Sequence, residues 1–269
     1  MSSAVARHSR RQRGILHVVT PLEAIAVMAA GLIAGAINAI VGSGSLITFP
    51  TLLAIGLPPI TANVSNTIGL VPGGISGTVG YRRELVGQRE RVLVLGAAGL
   101  IGGTVGAGLL LVLPPEAFER IVPFLVLFAA GITAIQPVLT ERLKNVRARP
   151  AHDNPIVVLA VFFTAIYGGY FGAGQGVILL ALLLLLVNDD PQRLNGLKNA
   201  VILVVNVVAA LIFVVVAPVD WTAVLLLAVS STIGGQLGAT VGRRLSPTAL
   251  RVAIVVLGTV VGLRLLLVP

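Results

Sequence analysis

The chain has 269 residues, of which 56% are hydrophobic and only 11% charged, with a formal net charge of +9 and a mean hydropathy of +1.01. About a quarter of a soluble globular chain is charged, so a soluble fold is excluded, and the lack of cysteine excludes disulfides, thiolate metal sites and cysteine nucleophiles. The positive excess does not point to nucleic acid, because the arginines sit in short connections between apolar runs, as the positive-inside bias requires.

The tail, residues 1–20, carries Arg7, Arg10, Arg11 and Arg13 ahead of an apolar run and imitates a signal peptide. "SRRQRG" resembles a twin-arginine signal but lacks the apolar residues expected just after the pair. The apolar run continues without a convincing cleavage site, so it reads as an uncleaved first helix. Beyond it no charged side chain lies between Glu23 and Arg82, between Arg91 and Glu116, between Asp153 and Asp189, or between Lys198 and Asp220. Apolar stretches of about 18 residues or more read as membrane spans. The chain is therefore expected to be an all-α, multi-pass protein of the cell (inner or plasma) membrane.

In chain order, a long limb over 22–41 meets a glycine-rich break, "VGSGS", and a short limb follows over 46–56. Longer helices are expected near 60–80, 92–113 and 117–139. A polar linker over 140–155, "TERLKNVRARPAHDNP", precedes the same series again: 156–171, a second break in "FGAGQGV", then 177–187, 195–217, 221–241 and 248–267.

The recurrence is written in the residues. "GLIGGTVGAGLLLVLPPEA" at 99–117 aligns without gaps with "STIGGQLGATVGRRLSPTA" at 231–249, at an offset of 132. "VGSGSLI" aligns with "FGAGQGV" at an offset of 130, setting Gly42 against Gly172 and Gly44 against Gly174, and "ANVSNTIG" beside "NGLKNAVI" sets Asn66 against Asn199. The chain thus reads as two transmembrane repeats, 21–139 and 156–269, each a glycine-broken hairpin of one long and one short limb plus three helices. Five segments per half send the second half into the membrane from the opposite side. The basic connections 82–91, 142–149 and 243–251 then share one side, while Glu116 and Asp220 lie on the other; the basic tail alone violates the bias. Inverted repeats with broken helices are the plan of many secondary transporters, with the substrate at the repeat interface near the midplane.

That plan gives the breaks a use. In lipid an unwound backbone survives only where it lines a polar cavity or is buried in protein. Glycine permits the turn, and a limb that restarts after it offers free N–H groups at its positive end, a ready anion site. Ser43 and Ser45 would add hydroxyl donors. Close helix packing is the competing use of such glycines; two breaks at matching positions favour the cradle.

Polar residues follow each short limb at helical spacing. Asn63, Asn66 and Thr67 share a face, and Asn195, Lys198 and Asn199 repeat the spacing, with Asn206 continuing the stripe. Hydrogen bonding between helices competes as the role of the asparagines. Lys198 is harder to place, since a lysine at a span's centre costs about 2.5–3.5 kcal/mol on insertion scales and marks a candidate site; snorkelling from a helix end is its alternative. The pairs Gly99–Gly103, Gly102–Gly106, Gly234–Gly238 and Gly238–Gly242 read as close-packing surfaces. Gln236 beside them reads as core hydrogen bonding, with reach into a cavity as its alternative, and Tyr167 and Tyr170, which flank the second break, read equally as packing or as gating.

An intramembrane enzyme would need paired carboxylates, metal ligands or a Ser–His couple within a span. His8, His17 and His152 fall in the tail, its flank and the linker, and no such set is spelled. No catalytic, metal or cofactor residue is expected. An anion channel or a non-transporting membrane scaffold remains as the alternative to a transporter.

Residues 20–267 resemble the TauE/SafE family of membrane proteins, sulfite exporters and transporters of organosulfur anions. The resemblance rests on "GAINAIVGSGSLITFPTLLAIGLPPITANVSNT", "VPGGISGTVGYRREL", "GGYFGAGQGVILLALLLLL" and "NGLKNAV". The family carries G-x-G-G-G followed by proline; here the first copy reads Gly42-Ser43-Gly44-Ser45 with Pro50, and the second has Gln175 and Gly176 with no matching proline. The resemblance implies a permease moving a small inorganic or organosulfur anion outward, coupled to a proton or sodium ion. The residues expected to bind it are Gly42, Ser43, Gly44, Ser45, Asn63, Asn66, Thr67, Gly172, Gly174, Gln175, Gly176, Lys198 and Asn199. Besides the anion and the coupling ion, the lipid bilayer is the expected partner.

Overall fold

The computed structural model describes residues 19–143, 154–240 and 247–267. The arginines of the tail, most of the linker, and residues 241–246 with Gly242 lie outside the described residues. All regular structure in the described part is helical: α1 Pro21–Ile40, α2 Ser45–Ala54, α3 Pro59–Gly80, α4 Arg89–Val112, α5 Pro115–Leu143, α6 Pro155–Tyr170, α7 Gln175–Leu186, α8 Pro191–Val216, α9 Trp221–Thr240 and α10 Pro247–Leu267.

Six of these helices open on proline, the residue whose fixed φ and missing N–H suit the first helical position. Polar side chains finish the starts. The Glu23 N–H donates to Thr20 Oγ1 while Glu23 Oε2 accepts from the Thr20 N–H, closing a capping box on α1. Asp190 Oδ1 accepts from the N–H groups of Gln192 and Arg193. This cap explains why α8 begins at 191 rather than at the expected 195: Asp190-Pro191 is a start signal lying ahead of the apolar run. Measured from Pro59 and Pro191, the residues opening α3 and α8, Asn66 holds the place of Lys198 and Thr67 that of Asn199. That is one residue off the pairing read from the sequence.

Five helices are long and apolar enough to cross a membrane, namely α1, α4, α5 over Pro115–Leu139, α8 and α9. The limbs α2, α6 and α7 are shorter, and α6 spans only 16 residues where a long limb was expected. The outer faces of the bundle are apolar, with Leu100, Ile101, Val105, Leu225, Val229 and Ile233 all exposed. The interior holds the polar residues instead: Asn63, Ser65, Asn66, Lys198 and Asn199 are buried. A molecule oily outside that keeps its polar side chains inside, among an apolar core, is built for lipid, because hydrocarbon can solvate the first set and not the second. The protein is a multi-pass membrane protein.

The chain doubles back at both breaks. A Cβ on Gly44 would come 2.3 Å from the carbonyl oxygen of Ala34, ten residues earlier, and a Cβ on Gly168 would reach the amide of Gln175, seven residues later. So α1–α2 and α6–α7 are hairpins rather than kinked continuous helices. Each hairpin leans on helices distant in sequence. α1 packs on α9, α6 on α4, α9 also on α3, and α4 also on α8. α8 begins where α3 ends, since Gly196 faces Tyr81, Glu84 and Leu85 while Gly74 faces Leu203; the two helices run antiparallel. An aromatic cluster ties the hairpins together, with the rings of Phe49 and Phe171 edge to face at 5.2 Å and Phe118 against Tyr170 at 5.7 Å.

Outside the spans, Asp189 pairs with Arg91 at the start of α4 and with Arg193 at the start of α8. Burial pushes the Asp189 carboxyl up, but the Asp190 N–H and the two guanidinium groups outweigh it and hold the group below its usual range. Arg193 also donates to Val86 O, and Gln88, itself buried, donates to Glu84 O and Arg193 O. One polar knot thereby fastens the α3–α4 connection to the α7–α8 turn.

Candidate functional site

The two breaks meet each other. Gly42 has φ +88°, Gly172 +76° and Gly174 +72°, values in the left-handed region that only glycine adopts without strain. The Gly176 N–H donates to Gly42 O at 3.1 Å. The approach is backbone on backbone: a Cβ on Gly42 would sit 2.5 Å from the Gly176 Cα, and one on Gly176 would sit 2.4 Å from the Gly42 Cα. Two chain turns from distant parts of the sequence cross here with no side chain between them.

Ending helices inside the bundle leaves carbonyl groups without helical partners, and α8 and α3 supply donors. Asn195 Nδ2 and Asn199 Nδ2 both donate to Ala39 O, at 3.2 and 3.1 Å, and Lys198 Nζ reaches Asn38 O at 3.5 Å. At the end of α6, Asn63 Nδ2 donates to Tyr170 O at 3.0 Å, and the Tyr167 hydroxyl donates to Ala173 O. The negative end of α1 thus receives a cation and two amides, and the end of α6 a neutral amide. Lys198 is fully buried, and no carboxylate pairs with it among the described residues. Its one polar partner there is the carbonyl end of α1, in surroundings of low dielectric that screen such a contact little.

The restarting limbs are less bare than the sequence implied. The Gly44 N–H donates to Asn38 Oδ1 at 2.7 Å, the Gly176 N–H is taken by Gly42 O, and the N–H groups of Leu46 and Val177 find Ser43 O and Gly174 O. The positive helix ends are therefore largely satisfied within the protein, and side-chain groups make up most of the open donors.

Beside the crossing lies a cavity of about 50 Å3, room for a few waters at about 10–15 Å3 each, or for one small ion. Of the residues expected from the sequence, Gly42, Ser45, Asn66, Thr67, Gly172, Gln175, Gly176 and Asn199 line it. The rest stand behind its wall. Ser43 is buried with its hydroxyl unpartnered, Gly44 is packed against Ala34, and Gly174 faces Ala129 of α5. Asn63, Asn195 and Lys198 are spent on the helix ends. Gln175 is only 2% exposed, yet its Nε2 has no hydrogen-bond partner, which is costly unless something polar enters the cavity.

Asn38, Asn206, Phe171 and the α3 wall of Gly73, Gly74 and Gly77 complete the lining. Asn206 was visible as the continuation of the α8 stripe. Asn38 was missed, although the signal was present: it is the single amide in the apolar run from Ala24 to Val41, four residues before the break.

Known proteins resemble this chain over nearly its whole length. It is 25% identical over 252 residues to the probable membrane transporter protein YfcA of Escherichia coli strain K12, covering 93% of this chain and 92% of that one. It is 26% identical over 241 residues to the probable membrane transporter protein ORF9 of a Sinorhizobium species, covering 89% and 91%. A probable membrane transporter protein of Haemophilus influenzae is 25% identical over 229 residues, covering 84% and 88%. No solved structure matches the chain. Residues 27–265 match the family described as sulfite exporter TauE/SafE, and with that extent of match the chain belongs to the TauE/SafE family of membrane transporters.

Proposed function

We propose that the protein is a secondary transporter of a small anion, sulfite or an organosulfur anion, working by alternating access between two inverted halves. The observation that carries the reading is the crossing of the two hairpin turns, Gly42 on Gly176, beside a small cavity walled by amides, hydroxyls and bare backbone. The matched packing of α1 on α9 and α6 on α4, together with the antiparallel course of α3 and α8, supports inverted halves over 21–139 and 156–269. Each hairpin then belongs to one half and packs on helices of the other, so a rocking motion that keeps each hairpin on its seam, α1 with α9 and α6 with α4, would carry the turns past one another. The family description, sulfite exporter, supports the substrate class. Lys198, fixed behind the wall, supplies the positive potential that an anion needs in a dry interior. Coupling to a proton or sodium gradient completes the proposal.

Proteoliposomes test it directly. Sulfite, methanesulfonate, taurine, sulfate and acetate are offered in turn, and uptake is measured with and without the same anion inside. Saturable flux of one or more sulfur anions, accelerated by anion on the far side, is the expected outcome. Flux that rises linearly with concentration, or none for any of them, overturns the transporter. Orientation has its own test, since the chain lacks cysteine. Single cysteines introduced at positions 5 and 148 should react with an impermeant maleimide from outside and from inside respectively; the reverse pattern sinks the inverted topology.

A further inference from the structure

Asn38 does two separate things. Its Oδ1 accepts the Gly44 N–H at 2.7 Å, which fixes the amide with its oxygen toward the hairpin turn. Its Nδ2 is left over, with no hydrogen-bond partner among the described residues, and the residue lines the cavity. A side chain needed only to cap the turn would not have to be an amide, because a hydroxyl or a carboxylate also accepts an N–H.

The second hairpin arranges the same group by a different route. Counted back from the two left-handed turns Gly42 and Gly172, the position equivalent to Asn38 is Gly168. The room that a side chain would take there is filled by Gln175: a Cβ on Gly168 would come 2.2 Å from its Nε2. So each hairpin lays one primary amide across its incoming limb, from that limb in the first hairpin and from the outgoing limb in the second. Both amides line the same cavity; Gln175 Nε2 is unpartnered in a residue almost wholly buried, and Asn38, half-buried, donates no hydrogen bond among the described residues.

We infer that Asn38 contacts the transported anion, as one of two neutral donors, Asn38 Nδ2 and Gln175 Nε2, one from each hairpin. The inference rests on the anion-site reading above and adds to it what the ligand must present, namely oxygen acceptors that two amides can share. Lys198, held on the main-chain oxygen of Asn38, places its charge next to this donor without touching the ligand.

Asn38→Asp separates the two roles. A carboxylate still accepts the Gly44 N–H, and more strongly, so the hairpin keeps its cap; it cannot donate, and it repels an anion. Calorimetric titration of the detergent-purified protein with sulfite and with methanesulfonate is the measurement. Asn38→Asp and Gln175→Glu should each weaken binding by about tenfold or more at unchanged thermal stability, the worth of a hydrogen bond to a charged partner. Methanesulfonate stays ionised in acid, so its binding to Asn38→Asp should recover as the pH falls and the new carboxyl becomes a donor. A residue that merely caps the turn would give no such recovery. Should Asn38→Asp not fold, Asn38→Leu, which loses the cap and the donor together, decides by the same titration: parent-like binding overturns the contact, and binding at least tenfold weaker at a parent-like unfolding temperature supports it. Parent-like binding by Asn38→Asp alongside loss in Gln175→Glu overturns the role of Asn38 and leaves the anion site standing. A parent that binds neither probe overturns both.

Discussion

Glycine serves two regions of this molecule in opposite ways. At the hairpin crossing it uncovers the backbone: Gly42, Gly172 and Gly174 take left-handed turns, and Gly176 lies flat against Gly42. Along the helix seams it stays helical and only removes bulk. Gly102 and Gly106 of α4 face Phe162 O and Ile166 O of α6, and Gly234 and Gly238 of α9 face Leu32 O and Ala36 O of α1. The seams hold the scaffold that the crossing needs, because an unwound turn inside lipid persists only if its surroundings are rigid. Composition alone cannot separate the two kinds. What separates them is whether the missing Cβ would strike a turn or a helix.

The largest effect should follow from Gly42→Ala. The alanine would have to hold a left-handed φ, costing about 1–2 kcal/mol, and press its Cβ onto the Gly176 Cα, where overpacking costs about 1–3 kcal/mol more. Neither backbone can retreat without breaking the Gly176 N–H bond to Gly42 O. Anion flux in proteoliposomes should vanish. Gly176→Ala meets the same contact without the φ penalty, so its thermal stability should fall less while flux is still lost. Normal flux from both variants would show that the crossing is no closer than an ordinary seam.

Next comes a seam. A Cβ on Gly106 would lie 2.1 Å from Ile166 O, inside the α4–α6 contact. Gly106→Ala should destabilise the protein by about 1–3 kcal/mol, read as a lower unfolding temperature in detergent, with flux per folded molecule unchanged. If flux disappears while stability holds, the α4–α6 seam slides during the cycle, and the division between moving crossing and fixed seam has to be redrawn.

The sequence carried this division only in part. The seams were legible, because small residues four apart on apolar helices have few other uses. So were both breaks, since they recur at an equal spacing in one chain. The contact of Gly42 with Gly176 was not, because nothing local tells a turn which distant turn it will meet. Gly44 and Gly174 read as cradle from their motif, yet the fold spends them on Ala34 and Ala129. Lys198 read as a ligand because a polar group in a span asks for a reason. The reason here is the carbonyl end of α1, which exists only once α1 stops inside the bundle. Asn38 went unnoticed because its one signal, being the single amide in its apolar run, belongs to no repeated spacing.

The smallest effects calibrate the scale. A Cβ on Gly103 would meet Val208 Cγ1 at 3.0 Å, Val205 Cγ1 at 3.2 Å and Val205 Cα at 3.3 Å, contacts that a shift of a few tenths of an ångström relieves. Gly103→Ala should therefore cost under about 1 kcal/mol, the low end of overpacking. Gly108 stands on the same helix with nothing within 4 Å of its would-be Cβ. There the packing term is absent, and alanine has the better helix propensity by about 0.8–1.0 kcal/mol. Gly108→Ala should leave flux unchanged and hold or raise the unfolding temperature. Measured in one detergent, the order of stability should run Gly108→Ala, Gly103→Ala, Gly106→Ala, Gly42→Ala, from most to least stable. Should Gly108→Ala destabilise as much as Gly106→Ala, the loss would belong to glycine's absence from α4 as such, and close approach to α6 would no longer explain the seam.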